Sequence, residues 1–395
     1  MLWEALFLVL VGSLASAYLA YPVAVWLASR VAPYRSSVDA IGDDALPAAT
    51  LLVPAHNEEQ VIEEKIRNFL ELEYPPERLA CAVVSDASTD ATCRLVRELL
   101  GRLPEEAARR VTLFDRGERS GKTIALSETV PQTAGELLVF TDANTRFEPD
   151  AVRRLARHFA DPRVGLVCGR LQYREARPEA AGGEALYWRY ENRLKEWEGR
   201  VGRLLVSNGS IYAVRRELFE PVPGPVADDL VVPLVVASAG YRTLYEREAL
   251  ASEILPSDVS EDFESKARII TQGFEAVYRY RDRVLRSGVL RILQYLLHKV
   301  IRWLAPLILI LALGVSFVGS ASPWLAVMLW LQLAFYVLAG IGWLTRKRER
   351  SLLAVRVAFH FCLLNAAALK GFVDFLGRRD RSTWEKSEST RRSDV

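Results

Sequence analysis

Leu137-Leu138-Val139-Phe140-Thr141-Asp142-Ala143-Asn144 passes from four consecutive apolar side chains into a carboxylate and an amide. An apolar run this short, closed at once by Asp, predicts a buried strand whose C-terminal end opens on solvent, where α/β sheets place their ligands. Asp142 therefore stands where chemistry is expected. A carboxylate and an amide oxygen two positions apart can both reach one hard divalent cation, Mg or Mn, and such a cation neutralises a diphosphate. The residues leave a second reading open, in which Asp142 caps the next helix and Asn144 makes a turn.

Upstream, the chain alternates strand and helix patterns. The run from Ala45 to Ala55 is β-rich and leads through His56-Asn57-Glu58-Glu59 into an amphipathic stretch from Val61 to Leu72. Leu79 to Ser85 repeats the strand, Asp86 to Asp90 gives a turn able to cap a helix, and Ala91 to Leu103 gives that helix. Val111 to Phe114 is a third strand, followed by the glycine-bearing loop Arg116 to Lys122 and a helix from Thr123. This alternation predicts an α/β fold with a mostly parallel, doubly covered sheet, and it brings Asn57, Asp86 and Asp142 to one edge.

Four segments in order, Pro54-x-x-Asn57-Glu58, Ser85-Asp86-Ala87-Ser88-Thr89-Asp90, Gly121-Lys122 and Thr141-Asp142-Ala143-Asn144, resemble the start of a family 2 glycosyltransferase. The resemblance implies a GT-A nucleotide-binding half-domain, with Pro54, Asn57, Glu58, Asp86, Lys122 and Asp142 on the sugar-nucleotide donor. It puts Asp86 near base or ribose, and Asp142 with Asn144 at the metal and diphosphate. Further on, Ser207 to Arg216 resembles the family's glycine-bearing segment, and Gly209 could let backbone approach a sugar. Asp228-Asp229 then occupies the place where the family writes Glu-Asp, so Asp229 matches the general base. An inverting transfer needs a carboxylate there to take the acceptor's proton, and Asp228 beside it raises the pair's first pKa. The pair could equally cap a helix from Leu230 to Ala239.

The helix pattern at Tyr187 to Trp197 places Tyr187, Tyr190, Leu194 and Trp197 on one face, either for the core or for a sugar. The family's polymer-making members carry Gln-x-x-Arg-Trp about forty residues after the base. Here Arg268 matches that Arg, with Gln272 nearby, while the Gln and Trp positions differ; a cation there can pair with a leaving diphosphate. His298-Lys299-Val300-Ile301-Arg302-Trp303 spells most of the motif further on. Its position against an apolar run reads as an interface anchor, following a membrane-surface helix from Val289 to Leu297.

Apolar residues concentrate at the two ends. Leu2 to Ala28 carries one charge, Glu4, and reads as a retained membrane helix rather than a signal peptide, since no basic residue precedes it. Arg30 and Arg35 place the next segment in the cytoplasm by the positive-inside rule. Leu304 to Val318 and Trp324 to Leu344 read as a membrane hairpin. Leu352 to Leu376 is long enough to span, yet carries Arg356, His360, Asn365, Lys370 and Asp374. The expected organisation is an anchor at 1–30, a cytosolic transferase domain at 31–283, an interface helix at 284–303, membrane helices at 304–376 and a polar tail at 377–395.

With 51 basic and 49 acidic side chains the net charge is +2, which gives no broad attraction to nucleic acid. Cys81, Cys93, Cys168 and Cys362 stand singly, without zinc-ligand spacing. A dinucleotide-binding dehydrogenase would need GxGxxG where Pro54-Ala55-His56-Asn57-Glu58 stands. The expected activity is an inverting, metal-dependent transfer from a nucleotide-diphosphate-sugar to a glycan or lipid-linked acceptor, in an inner-membrane enzyme of cell-envelope or exopolysaccharide synthesis. A single-transfer enzyme acting on a lipid phosphate, or a catalytically silent membrane-tethered scaffold, are the alternatives.

Overall fold

The structure is a computed structural model describing residues 1–35, 42, 45–174, 183–222, 224, 226–254, 259–345 and 352–378. Most of the polar tail expected at 377–395 lies outside the described residues. Eight strands form one sheet: β1 (Ala49–Ala55), β2 (Leu79–Asp86), β3 (Val111–Arg116), β4 (Leu137–Thr141), β5 (Arg146–Phe147), β6 (Val164–Arg174), β7 (Ile211–Arg215) and β8 (Arg242–Ile254). Their order is β3-β2-β1-β4-β7-β6-β8-β5. The half containing β1 to β4 is parallel, as the strand and helix alternation requires, while β7 runs antiparallel to both β4 and β6.

Every residue of β1 and β4 is buried, because helices cover both faces of the sheet. Strand periodicity sorts their side chains into two cores. Leu51, Val53, Leu137 and Val139 pack against α2 (Ile62–Leu70) and α3 (Thr92–Arg102). Leu52, Val84, Leu138 and Phe140 pack on the opposite face, against α4 (Lys122–Thr129) and further helices downstream. Burying each large apolar side chain of β4 stabilises the fold by about 1.5–3 kcal/mol. Pro54 is tolerated inside β1 because the ladder to β4 has already ended at Leu52.

After β5 come α5 (Ala151–Ala156), α6 (Gly183–Arg200), α7 (Asp228–Ser238) and α8 (Val259–Arg279). The α7 helix buries Leu230, Val231, Leu234 and Val235 on the Phe140 face. It therefore presents its first turn, carrying Asp228 and Asp229, at the same sheet edge where β4 ends.

Apolar helices complete the chain: α1 (Leu2–Val31, with a π-helical turn at Ser16–Ala20), α9 (Val289–Trp303), α10 (Ala305–Val318), α11 (Pro323–Leu344) and α12 (Leu353–Leu376). Of these, α1, α11 and α12 are long and apolar enough to cross a membrane, and a fourth crossing results if α9 and α10, bent by 64°, form one span. The expected hairpin needs α9 and α10 together as one span. At 14 residues α10 reaches about 21 Å, short of a hydrocarbon core of about 30 Å.

The C-terminal half of α12 packs on α8. Lys370 Nζ lies 2.9 Å from Glu264 on α8, and Thr271 Oγ1 donates to the Gly371 carbonyl at 3.1 Å. Gly371 also lets the two helices touch, because a Cβ there would lie 2.7 Å from the Ala267 carbonyl.

The reading of His298 to Trp303 as an interface anchor is overturned. His298 is fully buried, its Nδ1 2.8 Å from Glu198 Oε1, and Arg302 is paired with Glu191. Trp303 packs on Phe274 of α8 with ring centroids 5.1 Å apart, over Gly273, where any Cβ would strike the indole. Two carboxylates on α6 draw this segment inward, a force the local sequence does not display.

Candidate active site

The second face of the sheet collects the acidic residues at its C-terminal edge. Asp86 ends β2 in the Ala82, Val84 register, and Asp142 follows Leu138 and Phe140. Asp142 does not cap a helix, since the turn after it (Thr145 N to Asp142 O, 3.2 Å) leads into β5. Instead Lys122 Nζ, from the first turn of α4, lies 2.5 Å from Asp142 Oδ1, and Ser210 Oγ donates to Oδ2 at 2.8 Å. Burial opposes ionisation here, but the Lys122 ammonium and the Ser210 hydroxyl outweigh it and hold Asp142 below its ordinary 3.8. Burial likewise works against the Lys122 charge, and Asp142 and Asp228 more than offset it, so Lys122 is raised and stays protonated.

Asp86 shapes the loop that delivers Lys122. Its Oδ2 accepts from Gly121 N at 2.7 Å and its Oδ1 from Ser120 N at 2.9 Å, with Arg116 Nη1 3.2 Å away. Gly121 has φ +89°, a conformation that disfavours any side chain. Pro54, Asn57 and Glu58 lie behind this edge. The Asn57 side-chain oxygen accepts from Thr89 N at 2.7 Å, and Glu58 is fully buried with its N–H on Thr92 Oγ1 at 2.8 Å. These residues staple the β1 loop to the β2 loop and do not line the central cavity.

That cavity, of about 460 Å³, is within the range of small-ligand sites. Lys122, Asp142, Gly209, Asp228 and Asp229 line it, as do Arg268 and Gln272 of α8. Asp228 and Asp229 are the first residues of α7 rather than its N-cap, which is Ala227. Asp228 Oδ2 receives the Tyr212 hydroxyl at 3.2 Å, and Tyr212 is stacked on Phe140 at 4.5 Å. The Asp229 carbonyl is held by Ser207 N at 2.9 Å and Ser207 Oγ at 3.1 Å. Burial, and then the Asp228 charge, push the Asp229 carboxyl up to about 6. Gly209 lies between the two groups, since a Cβ there would make ordinary contacts of 3.7 Å with Lys122 Nζ and 3.9 Å with Asp229 Cβ. Asp142 and Asp229 thus meet across one cavity.

Two lysines escaped the reading of the sequence. Lys65 occupies the apolar face of α2 with Ile62, Ile66 and Phe69, and a cation at that spacing was the available signal. Its Nζ donates to Thr141 Oγ1 at 2.8 Å and to the Thr145 carbonyl, holding the turn that carries Asp142. Lys195 of α6 donates to the Ser207 carbonyl at 3.1 Å and to Asn208 Oδ1, supporting the turn beneath Asp229. Of the aromatic face expected on α6, Tyr187 lines the cavity along with Trp188, whereas Leu194 belongs to the core.

Burial lowers Lys65 to about 7 from 10.5. Between those values the unfolded chain binds a proton that the folded chain lacks, so stability rises with pH across that window. The expected slope, totalling on the order of a few kcal/mol, is absent in Lys65→Met. Thermal melting of both proteins from pH 7 to 10 measures it, and parallel curves would contradict the assignment.

A cation at Asp142 finds one carboxylate with lone pairs left beside Lys122 and Ser210. The described residues hold no cluster of three or more His, Cys, Asp or Glu. Asn144 does not line the cavity, and Glu253 is raised by burial and by the charge of Asp142. This donor set fits an ion that takes much of its coordination from substrate phosphates, the habit of Mg²⁺, and not a preformed cage.

The family model described as glycosyl transferase family 2 matches residues 50–220, and that described as glycosyl transferase family group 2 matches residues 137–339, just over half of the chain. The chain belongs to glycosyl transferase family group 2. Among curated relatives, the probable glycosyltransferase YdaM of Bacillus subtilis is 27% identical over 224 residues, 53% of this chain and 51% of the relative. The beta-monoglucosyldiacylglycerol synthase of Synechocystis is 30% identical over 196 residues, 47% of this chain and 39% of the relative. The chain thus spans about half or less of the length of these relatives. The solved mannosyltransferase PcManGT from Pyrobaculum calidifontis, in complex with GDP-Man and Mn²⁺, shares the fold with a TM-score of 0.70 at 23% identity, over 95% of this chain and 99% of that one. The glycosyltransferase fold is therefore GT-A, and the antiparallel β7 belongs to it as much as the parallel half does.

Proposed function

We propose that this glycosyltransferase moves a sugar, with inversion, from a nucleotide-diphosphate-sugar to a lipid or lipid-linked glycan acceptor. The observation that carries the reading is the single cavity joining the Lys122–Asp142 pair and Asp229 to residues of α9 and α12, among them Trp303 and Leu364. Donor diphosphate belongs at the Lys122 and Asp142 end, with the sugar's anomeric carbon toward Asp229. Asp86 acts on the donor through the Ser120-Gly121 loop, and Pro54, Asn57 and Glu58 act from behind it. Arg268 and Gln272 serve the diphosphate or the acceptor further along the cavity. Asp229 takes the proton of an acceptor hydroxyl while that oxygen bonds to the anomeric carbon. The bond from that carbon to the diphosphate oxygen breaks, and its electron pair leaves with the nucleoside diphosphate. A divalent ion held by Asp142, with Asn144 within two residues, would neutralise the leaving diphosphate.

Support for the donor comes from the GDP-Man bound by the mannosyltransferase neighbour, and for a lipid acceptor from the relative named for a glucosyldiacylglycerol. A location in the inner membrane with the sheet in the cytoplasm is part of this reading, supported by three helices long and apolar enough to cross a membrane and by Arg30 and Arg35 after the first. The test is release of free nucleoside diphosphate by the full chain in detergent, with Mn²⁺ and an Escherichia coli polar lipid extract, from GDP-mannose, UDP-glucose and UDP-N-acetylglucosamine in turn. At least one donor should be turned over, and Asp229→Asn should stop it. No metal-dependent release from any of them, or equal release by the variant, would refute the reading.

A further inference from the structure

The transfer mechanism makes no use of α1, yet this helix reaches the catalytic cavity. Its π-helical turn, Ser16–Ala20, packs on a second π-helical turn, Leu296–Val300 in α9. Such turns are rare and recur at functional sites. The first of them puts Tyr18 in the cavity wall, where the Tyr18 carbonyl accepts from the Tyr190 hydroxyl of α6 at 3.3 Å. Tyr21, three residues on, is buried, and its hydroxyl donates to Glu198 of α6, a carboxylate with no exposed surface. The same Oε1 accepts from His298 Nδ1 of α9 at 2.8 Å. The other oxygen, Oε2, accepts from the Leu205 N–H at 3.1 Å. Leu205 lies two residues before Ser207, whose N–H and hydroxyl hold the Asp229 carbonyl at 2.9 and 3.1 Å.

We infer that Glu198 is a positioning residue for the base, and that α1 is a working part of the site through Tyr21 rather than an anchor alone. Burying a carboxylate is expensive, and apolar side chains would join these helices at lower cost. What the carboxylate adds is direction. Its two oxygens fix a hydroxyl of α1 on one side and, on the other, the backbone that leads to the Asp229 turn. Glu198 does not line the cavity and acts through Leu205 and Ser207. Relieved of the Tyr21 hydroxyl, the carboxylate is free to turn, the segment from Leu205 to Asn208 loosens, and Asp229 loses its aim. The catalytic consequence rests on Asp229 as the base, while the linkage itself does not depend on it.

Amide hydrogen exchange and steady-state kinetics of the full chain in detergent test it, with Tyr21→Phe as the mild variant, which removes one oxygen and keeps the ring beside His298. Exchange at Leu205 and Ser207 should quicken about tenfold or more, the weight of one hydrogen bond to a charged acceptor. The β4 amides from Leu137 to Thr141 should exchange as before. Nucleoside diphosphate release should fall in kcat by a similar factor at unchanged donor KM. Glu198→Gln should give the same pattern at least as strongly, and where it fails to fold the Tyr21→Phe result decides. Unchanged exchange in Tyr21→Phe would overturn the linkage. Faster exchange throughout the sheet would reduce it to general stability and overturn it as well. Faster exchange at Leu205 and Ser207 with kcat intact would overturn the positioning role. A wild-type chain that releases no nucleoside diphosphate, while Tyr21→Phe still quickens exchange at Leu205 and Ser207, counts against the transferase reading alone.

Discussion

Asp229→Asn should lower the transfer rate by about 10²–10⁴-fold, the usual contribution of a positioned general base. The substitution keeps the shape of the side chain, and the hold of Ser207 is on the Asp229 backbone carbonyl, so the turn survives. The wild-type rate should rise with pH through about 6, where the buried carboxyl loses its proton, and then level off. The residual rate of the variant should be flat over that interval. Because the Asp228 charge is the second cause of the elevation after burial, Asp228→Asn should move the acid limb to lower pH without removing it. Initial rates from pH 4.5 to 8 measure all three, and an Asp229→Asn profile that kept the same limb would assign the base elsewhere.

Asp142→Asn should cost about 10²–10³-fold in the rate, the loss typical when one electrostatic partner of a transition-state charge is removed. It should also weaken metal dependence, since its carboxylate lines the cavity and is paired directly with Lys122. Lys122→Met should act chiefly on donor affinity. The two groups touch at 2.5 Å, so their effects should fall short of adding. Kinetics of both single variants and the double variant over a manganese titration measure this, and strict additivity would show that the ion pair is not a functional unit.

The parallel half of the fold was open to reading because each of its elements states its identity locally. Leu137 to Thr141 has the boundaries expected of it, since a fully buried strand needs an unbroken apolar run and Asp142 ends it. The other half, where parallel and antiparallel pairs mix, was less legible. β7 lay inside what was read as a glycine-bearing segment, and β8 places Arg247 and Glu248 beside a register shift, which breaks its alternation. Asp229 was picked out by its match to the family's Glu-Asp position, and the structure puts it on the cavity wall. The supporting roles of Lys65, Lys195 and Glu191 depend on partners far along the chain. Arg302 was read as facing lipid for the same reason: a basic residue beside an apolar run looks alike whether it meets a headgroup or a buried carboxylate.

A crystal of the full chain grown with UDP or GDP and Mn²⁺, measured at the manganese edge, tests the account most directly. The account predicts one strong anomalous peak bridging the Asp142 carboxylate and the nucleotide's diphosphate, with Asp229 across the same cavity. A peak away from Asp142, or a nucleotide bound outside the cavity shared with Asp229, would contradict it.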